Sequence, residues 1–156
     1  GSRTQSTAEA LAGKLAGSGF ATAARSSLED AVAEADIISC ATLAVEPVIH
    51  GAWLRPGQHL DLIGSYAPHM READDEAIRR SRVFIDTEAG LHETGDLIKP
   101  LETGALKRES ICGTLYDLTR RGFDASRTAA DITLFKGVGH ALEDLAAARL
   151  VLAKSA

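Results

Sequence analysis

The chain has 156 residues, of which 45% are hydrophobic and 25% charged, a composition typical of one soluble globular domain. Its formal net charge of -5 argues against a surface that binds nucleic acid or an anionic membrane. No apolar run approaches the roughly 20 residues of a membrane span, and the polar start predicts no signal peptide. The cysteines, Cys40 and Cys112, lack the spacing of a metal site and favour a reducing, cytoplasmic location.

Helical and strand-like segments alternate from the start of the chain. A helix capped by Ser6 is predicted first, and it ends near Gly17. Residues 20–24 are predicted as a short strand because they are mostly apolar. Residues 26–35 follow as a second helix, and the β-branched run at 37–41 predicts a buried strand.

The same alternation continues through the rest of the chain. We predict further strands at residues 59–63, 83–86 and 132–135, and helices at residues 74–81, 88–94, 115–120 and 141–154. This pattern predicts an α/β fold with a mostly parallel sheet and helices on both faces. The length fits a single domain over residues 1–156.

Small residues follow several of the predicted strands, where ligands bind in open parallel sheets. The candidate cofactor-binding residues at these points are Ala41, Thr42, Leu43, Gly64, Gly137 and Val138. The turn at 137–139 opens a helix, so we expect free backbone N–H groups there that favour an anion or a carboxamide. Each of these turns, taken alone, is more often an ordinary tight turn.

Four motifs in order carry a resemblance to one family. Residues 35–42, with their buried strand and Ala-Thr exit, come first. The Trp-Leu-Arg-Pro-Gly-Gln-His turn at 53–59, the Arg-Glu-Ala-Asp-Asp-Glu helix entry at 71–76 and the Thr-Leu-Phe-Lys-Gly-Val-Gly segment at 133–139 follow. Together they resemble the ornithine cyclodeaminase/mu-crystallin family over almost the whole chain.

The resemblance implies a Rossmann-like domain that binds NAD or NADP. It implies an oxidoreductase, either a ketimine or imine reductase or an amino-acid dehydrogenase, acting on a small amino or imino acid or a 2-oxo acid, in a homodimeric parent protein. The family's first strand and glycine-rich pyrophosphate turn have no counterpart here, since residues 17–19 follow a helix instead. We therefore expect a truncated domain that is inactive by itself.

Arg3 and Thr4 fall where the resemblance places the end of the second strand of such a domain. An acidic residue at this point binds the ribose 2′-hydroxyl of NAD, whereas an arginine accommodates the 2′-phosphate of NADP. Arg3 therefore favours NADP over NAD. The alternative is that Arg3 belongs to a loose chain end.

Tyr66 occupies the position at which the resemblance places the catalytic Asp of true ornithine cyclodeaminases. A phenol with a pKa near 10 is a poor general base at neutral pH but can donate a hydrogen bond. Tyr66 is therefore the candidate catalytic residue, and it favours a reductase over a cyclodeaminase. The alternatives are a cyclodeaminase and a non-catalytic nucleotide-binding or crystallin-like protein. The five histidines are scattered without ligand spacing, so no metal is expected.

Overall fold

The computed structural model describes residues 4–155, which form two compact units divided between Ala35 and Asp36. The first unit contains α1 (Gln5–Leu15) and α2 (Leu28–Glu34). The second unit contains, in chain order, β1 (Ile37–Cys40), β2 (His59–Leu62), α3 (Asp75–Arg79), β3 (Ser81–Ile85), α4 (Gly90–Glu93), α5 (Gly95–Thr103), β4 (Gly113–Thr114), α6 (Leu115–Leu118), β5 (Ile132–Lys136) and α7 (Ala141–Ser155).

The first unit differs from the sequence prediction at two points. The cap of α1 is Thr4, whose hydroxyl accepts a hydrogen bond from the backbone N–H of Thr7, so the helix begins before Ser6. Residues 20–24 are irregular, and the strand predicted there is wrong. Phe20 is 77% exposed, and apolar content alone does not supply the neighbouring strand that a hydrogen-bonded ladder needs.

The second unit is built on a five-stranded sheet with the order β1-β2-β5-β3-β4, in which every neighbouring pair is parallel. One row of paired residues crosses four strands, from Cys40 through Leu62 and Lys136 to Ile85. These are the last residues of their strands, so the carboxyl ends of β1, β2, β5 and β3 lie level with one another. The predicted parallel α/β fold is confirmed.

One face of this sheet holds the core. Leu60, Leu62, Leu134, Val83 and Ile85 point to it, and each is at most 1% exposed. Burial of an aliphatic side chain of this size contributes about 1.5–3 kcal/mol. Helix α5 lies on this face, since its Asp96 approaches Lys136 of β5.

The opposite face is less completely covered. Leu118 of α6 lines a recess there together with Phe84 of β3 and Phe135 of β5. Further along the same face, Ile37 of β1 is 70% exposed. Helices therefore lie against both faces of the sheet, as predicted.

Two helices behave differently from the expectation. The helix predicted at residues 88–94 ends before Gly95 as expected, but Gly95 also begins a second helix, α5, which the Thr94 side chain caps by accepting from the Asp96 backbone N–H. Helix α7 forms where predicted, but none of its residues is buried, and Leu152 is 72% exposed. The apolar side chains of α7 therefore do not add to the core of the part that the structure describes.

Candidate functional site

The loops that follow β1, β2 and β5 lie side by side. The backbone N–H of Ile63 donates to the carbonyl of Cys40 at 2.8 Å, which joins the exit of β2 to the end of β1. The backbone N–H of Gly137 donates to the carbonyl of Leu62 at 3.1 Å, which joins the exit of β5 to the end of β2. The structure thus brings together the three segments that contain the predicted cofactor-binding residues of this unit.

Glu72 joins the first two of these loops. Its side chain is fully buried, and one carboxylate oxygen accepts hydrogen bonds from the backbone N–H and the hydroxyl of Thr42, at 2.6 and 2.8 Å. The other oxygen accepts from the backbone N–H groups of Gly64 and Ser65, at 2.7 and 3.3 Å. Backbone N–H groups can only donate, so this arrangement requires the acceptor oxygens of a carboxylate.

Two further charged side chains, those of Asp96 and Lys136, are buried near Glu72. One oxygen of Asp96 accepts from the backbone N–H groups of Glu72 and Ala73, at 2.8 and 3.2 Å. Its other oxygen makes no hydrogen bond and lies 3.6 Å from the ammonium of Lys136, which donates to the carbonyl of Leu62 at 3.1 Å. Burial raises the pKa of Asp96 and lowers the pKa of Lys136, although each charge partly stabilises the other. We call Glu72, Asp96 and Lys136 the buried charge cluster.

Cys40 lies at the end of β1, beside this cluster. Burial, together with the negative charges of Glu72 and Asp96, raises the pKa of its thiol to about 12. The thiolate is the reactive form of cysteine, so Cys40 is chemically inert at neutral pH. Cys40 is buried in the core, whereas Cys112 is only partly buried.

The turn after β5 does not offer the free N–H groups that its sequence suggested. The backbone N–H groups of Val138 and Gly139 donate to one oxygen of Asp86 at 2.7 and 2.9 Å, and that of Gly137 donates to Leu62. Asp86 is 1% exposed and its other oxygen accepts from the backbone N–H that follows it. The expectation of free N–H groups at this turn is therefore wrong, because the protein supplies its own carboxylate, while contact of the turn with a cofactor stays a prediction.

Close contacts within the protein require a glycine at position 64. A Cβ at this position would lie 2.1 Å from the carbonyl oxygen of Thr42 and 2.5 Å from a carboxylate oxygen of Glu72. The loops after β1 and β2 therefore pack backbone to backbone, and only glycine permits that approach. Gly137 is also enclosed, since its Cβ would lie 3.3 Å from the side chain of Ile63. Contact of either glycine with a cofactor stays a prediction.

The outer surface of the same loops is apolar. Leu43 is 73% exposed, Val45 54%, Ile63 46% and Tyr66 60%. Ala41 is exposed beside them, and Val138 is partly exposed at the third loop. Clustered exposed apolar side chains at the carboxyl end of a sheet are typical of a surface that receives a ligand.

The predicted nucleotide-selecting residues lie elsewhere in the chain. Thr4 belongs to the first unit, where it caps α1, and Arg3 lies outside the described residues. Within residues 4–155, no three His, Cys, Asp or Glu side chains are grouped so as to hold a metal ion. The same part of the chain contains no helix that is both long and apolar enough to span a membrane.

Sequence reasoning missed the carboxylates that organise the site. Asp86 ends a predicted strand, and Glu72 and Lys136 lie in the motifs that carry the family resemblance. These positions were the available signal, but charged residues are ordinarily exposed, so a single sequence does not indicate that these side chains are buried.

The parallel strand order and the joined loops at its carboxyl end define a Rossmann-like α/β domain, the type of fold that binds dinucleotides at this edge. The sequence matches the profile of the ornithine cyclodeaminase/mu-crystallin family over residues 2–156, and the chain belongs to that family. The resemblance seen in the sequence motifs is thereby confirmed.

Two curated relatives and one solved structure illustrate the family. The chain is 48% identical over 124 residues to the Delta(1)-pyrroline-2-carboxylate reductase of Paracoccus denitrificans, covering 79% of this chain and 39% of the relative. It is 37% identical over 127 residues to the ketimine reductase mu-crystallin of Mus musculus, covering 81% of this chain and 38% of the relative.

The solved structure is Thermococcus litoralis Delta(1)-pyrroline-2-carboxylate reductase in complex with NADH and L-proline. It matches with a TM-score of 0.89 and 31% identity, over 95% of this chain and 46% of that chain. The chain thus spans less than half the length of these three proteins.

Proposed function

We propose that this chain is the nucleotide-binding part of an NAD(P)-dependent reductase that acts on a small imino acid, and that the native protein does not act as an ornithine cyclodeaminase. The observation that carries the proposal is the exposed phenol of Tyr66 at the carboxyl end of β2. A hydrolytic cyclodeaminase needs a carboxylate there as general base, whereas a reductase does not. The pyrroline-2-carboxylate and ketimine reductases among the relatives support this reading.

A nicotinamide ring fits the apolar surface formed by Leu43, Ile63 and Tyr66, with Val138 at its border. When bound, the nicotinamide supplies or accepts a hydride. The chain itself provides the platform: the Thr42 and Gly64 loops are tied to Glu72, and the apolar side chains exclude water from the ring. These residues would contact the nicotinamide ring, which NAD and NADP share, so they do not distinguish the two cofactors.

Tyr66 positions the substrate in this proposal. Its hydroxyl donates a hydrogen bond to the imino acid, and it does not remove a proton from water at neutral pH. General-base catalysis typically contributes about 10²–10⁴-fold to a rate. A cyclodeaminase without that base is therefore strongly impaired, while hydride transfer to an imine proceeds.

The test compares two reactions of the native protein that carries this chain. We expect it to oxidise NADPH or NADH with Delta(1)-pyrroline-2-carboxylate or with a 2-oxo acid plus an amine, and to release little ammonia from ornithine. Tyr66→Phe should raise the KM for the imino acid and retain most of kcat. Rapid conversion of ornithine to proline, undiminished in Tyr66→Phe, would restore the cyclodeaminase assignment.

The preference for NADP is a separate part of the proposal and rests on Arg3, by its place in the sequence. An arginine that pairs with the 2′-phosphate distinguishes the two cofactors, because NAD has only a hydroxyl there. Arg3→Ala should therefore weaken binding of NADPH far more than binding of NADH, as measured by fluorescence titration of the reduced cofactors. Equal weakening of both would remove Arg3 from the site.

We also propose that the native protein is a homodimer, as the family resemblance implies. Light scattering coupled to size-exclusion chromatography measures its mass directly, and a monomeric mass at micromolar concentration would overturn this point.

A further inference from the structure

We propose that Glu72 is a positioning residue for the nicotinamide: its buried carboxylate locks the loops after β1 and β2 into one rigid platform before any cofactor binds. The inference rests on the proposed function, because it assigns the platform to nicotinamide binding. It assigns a role to a side chain that touches neither the cofactor surface nor solvent, since Glu72 is fully buried beneath the loops.

The first argument is the number and kind of hydrogen bonds. Both oxygens of Glu72 are used, and together they accept three backbone N–H groups and one hydroxyl from Thr42, Gly64 and Ser65. Hydrogen bonds to a charged acceptor are stronger than neutral ones, especially away from water. A loop exit is normally the mobile part of an α/β domain, but these two exits share one acceptor group.

The second argument is that the acceptor is itself held on its far side. The backbone N–H of Glu72 donates to Asp96, and Asp96 faces the ammonium of Lys136 at 3.6 Å. Lys136 is the last residue of β5 and donates to the carbonyl of Leu62, the last residue of β2. The cluster therefore connects the loops after β1 and β2 to the sheet itself rather than to the surface.

The third argument is the cost of the arrangement. Two carboxylates and one ammonium are removed from water together, and a buried cluster of this kind contributes little net stability compared with apolar packing. The location of the cluster indicates its role, because the hydrogen bonds of Glu72 are made to the two loops that border the apolar surface of Leu43 and Ile63. Pre-organisation of a binding surface lowers the entropy lost when a ligand binds.

The experiment uses Glu72→Gln in the native protein and two ligands, NADH and ADP-ribose. The amide has the shape of the carboxylate, but its NH2 group faces N–H donors and cannot accept their hydrogen bonds. We expect the Kd of NADH to rise roughly tenfold or more, because small displacements at a reacting centre have large effects. The Kd of ADP-ribose, which lacks the nicotinamide, should stay within about twofold, a change of about 0.4 kcal/mol against 1.4 kcal/mol for tenfold.

Asp74→Asn is the matched control. Asp74 also accepts backbone N–H groups through a carboxylate, from Gly51 and Ala77 at 2.9 and 2.8 Å, and it caps α3 rather than the loops. We expect Asp74→Asn to lower the midpoint of urea unfolding while leaving both Kd values unchanged. A comparable rise in the Kd of NADH in both variants would overturn the inference, because it would show general loosening of the fold.

Hydrogen exchange in the unaltered protein tests the same point if Glu72→Gln does not fold. The amides of Thr42, Gly64 and Ser65 should already exchange slowly without cofactor and change little when NADH is added. Rapid exchange that slows only with NADH would overturn pre-organisation. An unaltered protein that binds no dinucleotide would overturn the proposed function itself. Equal affinities of the unaltered protein and Glu72→Gln for NADH would overturn only the role of Glu72.

Discussion

The two ends of the sheet are held together by different means. At the carboxyl end, Glu72 and Asp86 are buried carboxylates that accept backbone N–H groups from the loops. At the amino end, Arg55 pairs with Asp36 at 2.7 Å, but Asp36 is 87% exposed. Solvent screens an exposed pair, whereas a buried carboxylate holds its donors in fixed directions. Buried charges are thus concentrated where geometry matters for the proposed chemistry.

The strongest test of this contrast is Asp86→Ala. The change removes the acceptor of the Thr87, Val138 and Gly139 backbone N–H groups and leaves them unpaired in a partly buried turn. We expect the free energy of unfolding to fall by about 3–5 kcal/mol, the usual cost of breaking a buried charged interaction. Asp36→Ala at the other end should cost about 0–1 kcal/mol. Urea denaturation of both variants measures the difference, and similar losses at the two ends would remove the contrast.

Gly64→Ala tests the close packing of the same loops. The added methyl group must displace backbone atoms of Thr42 that lie 2.1 and 2.2 Å from its ideal position. Overpacking of this kind costs about 1–3 kcal/mol, which thermal unfolding detects. Gly13→Ala is the matched control, because nothing lies within 4 Å of its Cβ position in α1. That variant should gain about 0.5–1 kcal/mol, and a loss of stability there equal to that of Gly64→Ala would contradict the steric argument.

The sequence predicted the sheet well because its signal is local. The strands near Ile37, His59, Val83 and Ile132 are runs of β-branched and aliphatic residues, and each occurs in the parallel sheet. The two-residue strand β4 was not predicted, because it is too short to show a period. Helix α5 was missed since it begins at a glycine and contains Pro100, two residues that usually interrupt helices.

The site was predicted less completely, for a physical reason. Thr42 and Gly64 were singled out, but Gly64 owes its identity to the contact with Thr42, which depends on residues 22 positions apart in the chain. The charged residues Glu72, Asp96 and Lys136 were missed because a single sequence does not show which charges are buried together. Their burial results from tertiary packing, whereas the periodicity of a strand or a helix can be recognised from residues that are neighbours in the sequence.

The smallest expected effect concerns pH and distinguishes the fully buried carboxylate of Asp96 from the partly buried carboxylate of Asp75. Burial raises the pKa of the Asp96 carboxyl above its unfolded value of 3.8. At pH values between the unfolded and the folded pKa, the folded protein binds a proton at Asp96 that the unfolded chain does not bind. Acidification through that range therefore adds stability, and the unfolding free energy of the unaltered protein should rise relative to Asp96→Asn as the pH falls toward 3.8. Below 3.8 the difference should level off, since both states are then protonated.

Asp75 gives the opposite sign and serves as the control. Burial opposes the shift, but hydrogen bonds from Thr103 and Arg71 lower the pKa of its carboxyl overall. Its contribution is therefore complete above 3.8 and is lost as the pH falls through the folded value, so the unaltered protein should lose stability relative to Asp75→Asn in that lower range. Urea unfolding at a series of pH values measures both differences. Slopes of the same sign for Asp96 and Asp75 would show that burial does not govern the charge at the carboxyl end of the sheet.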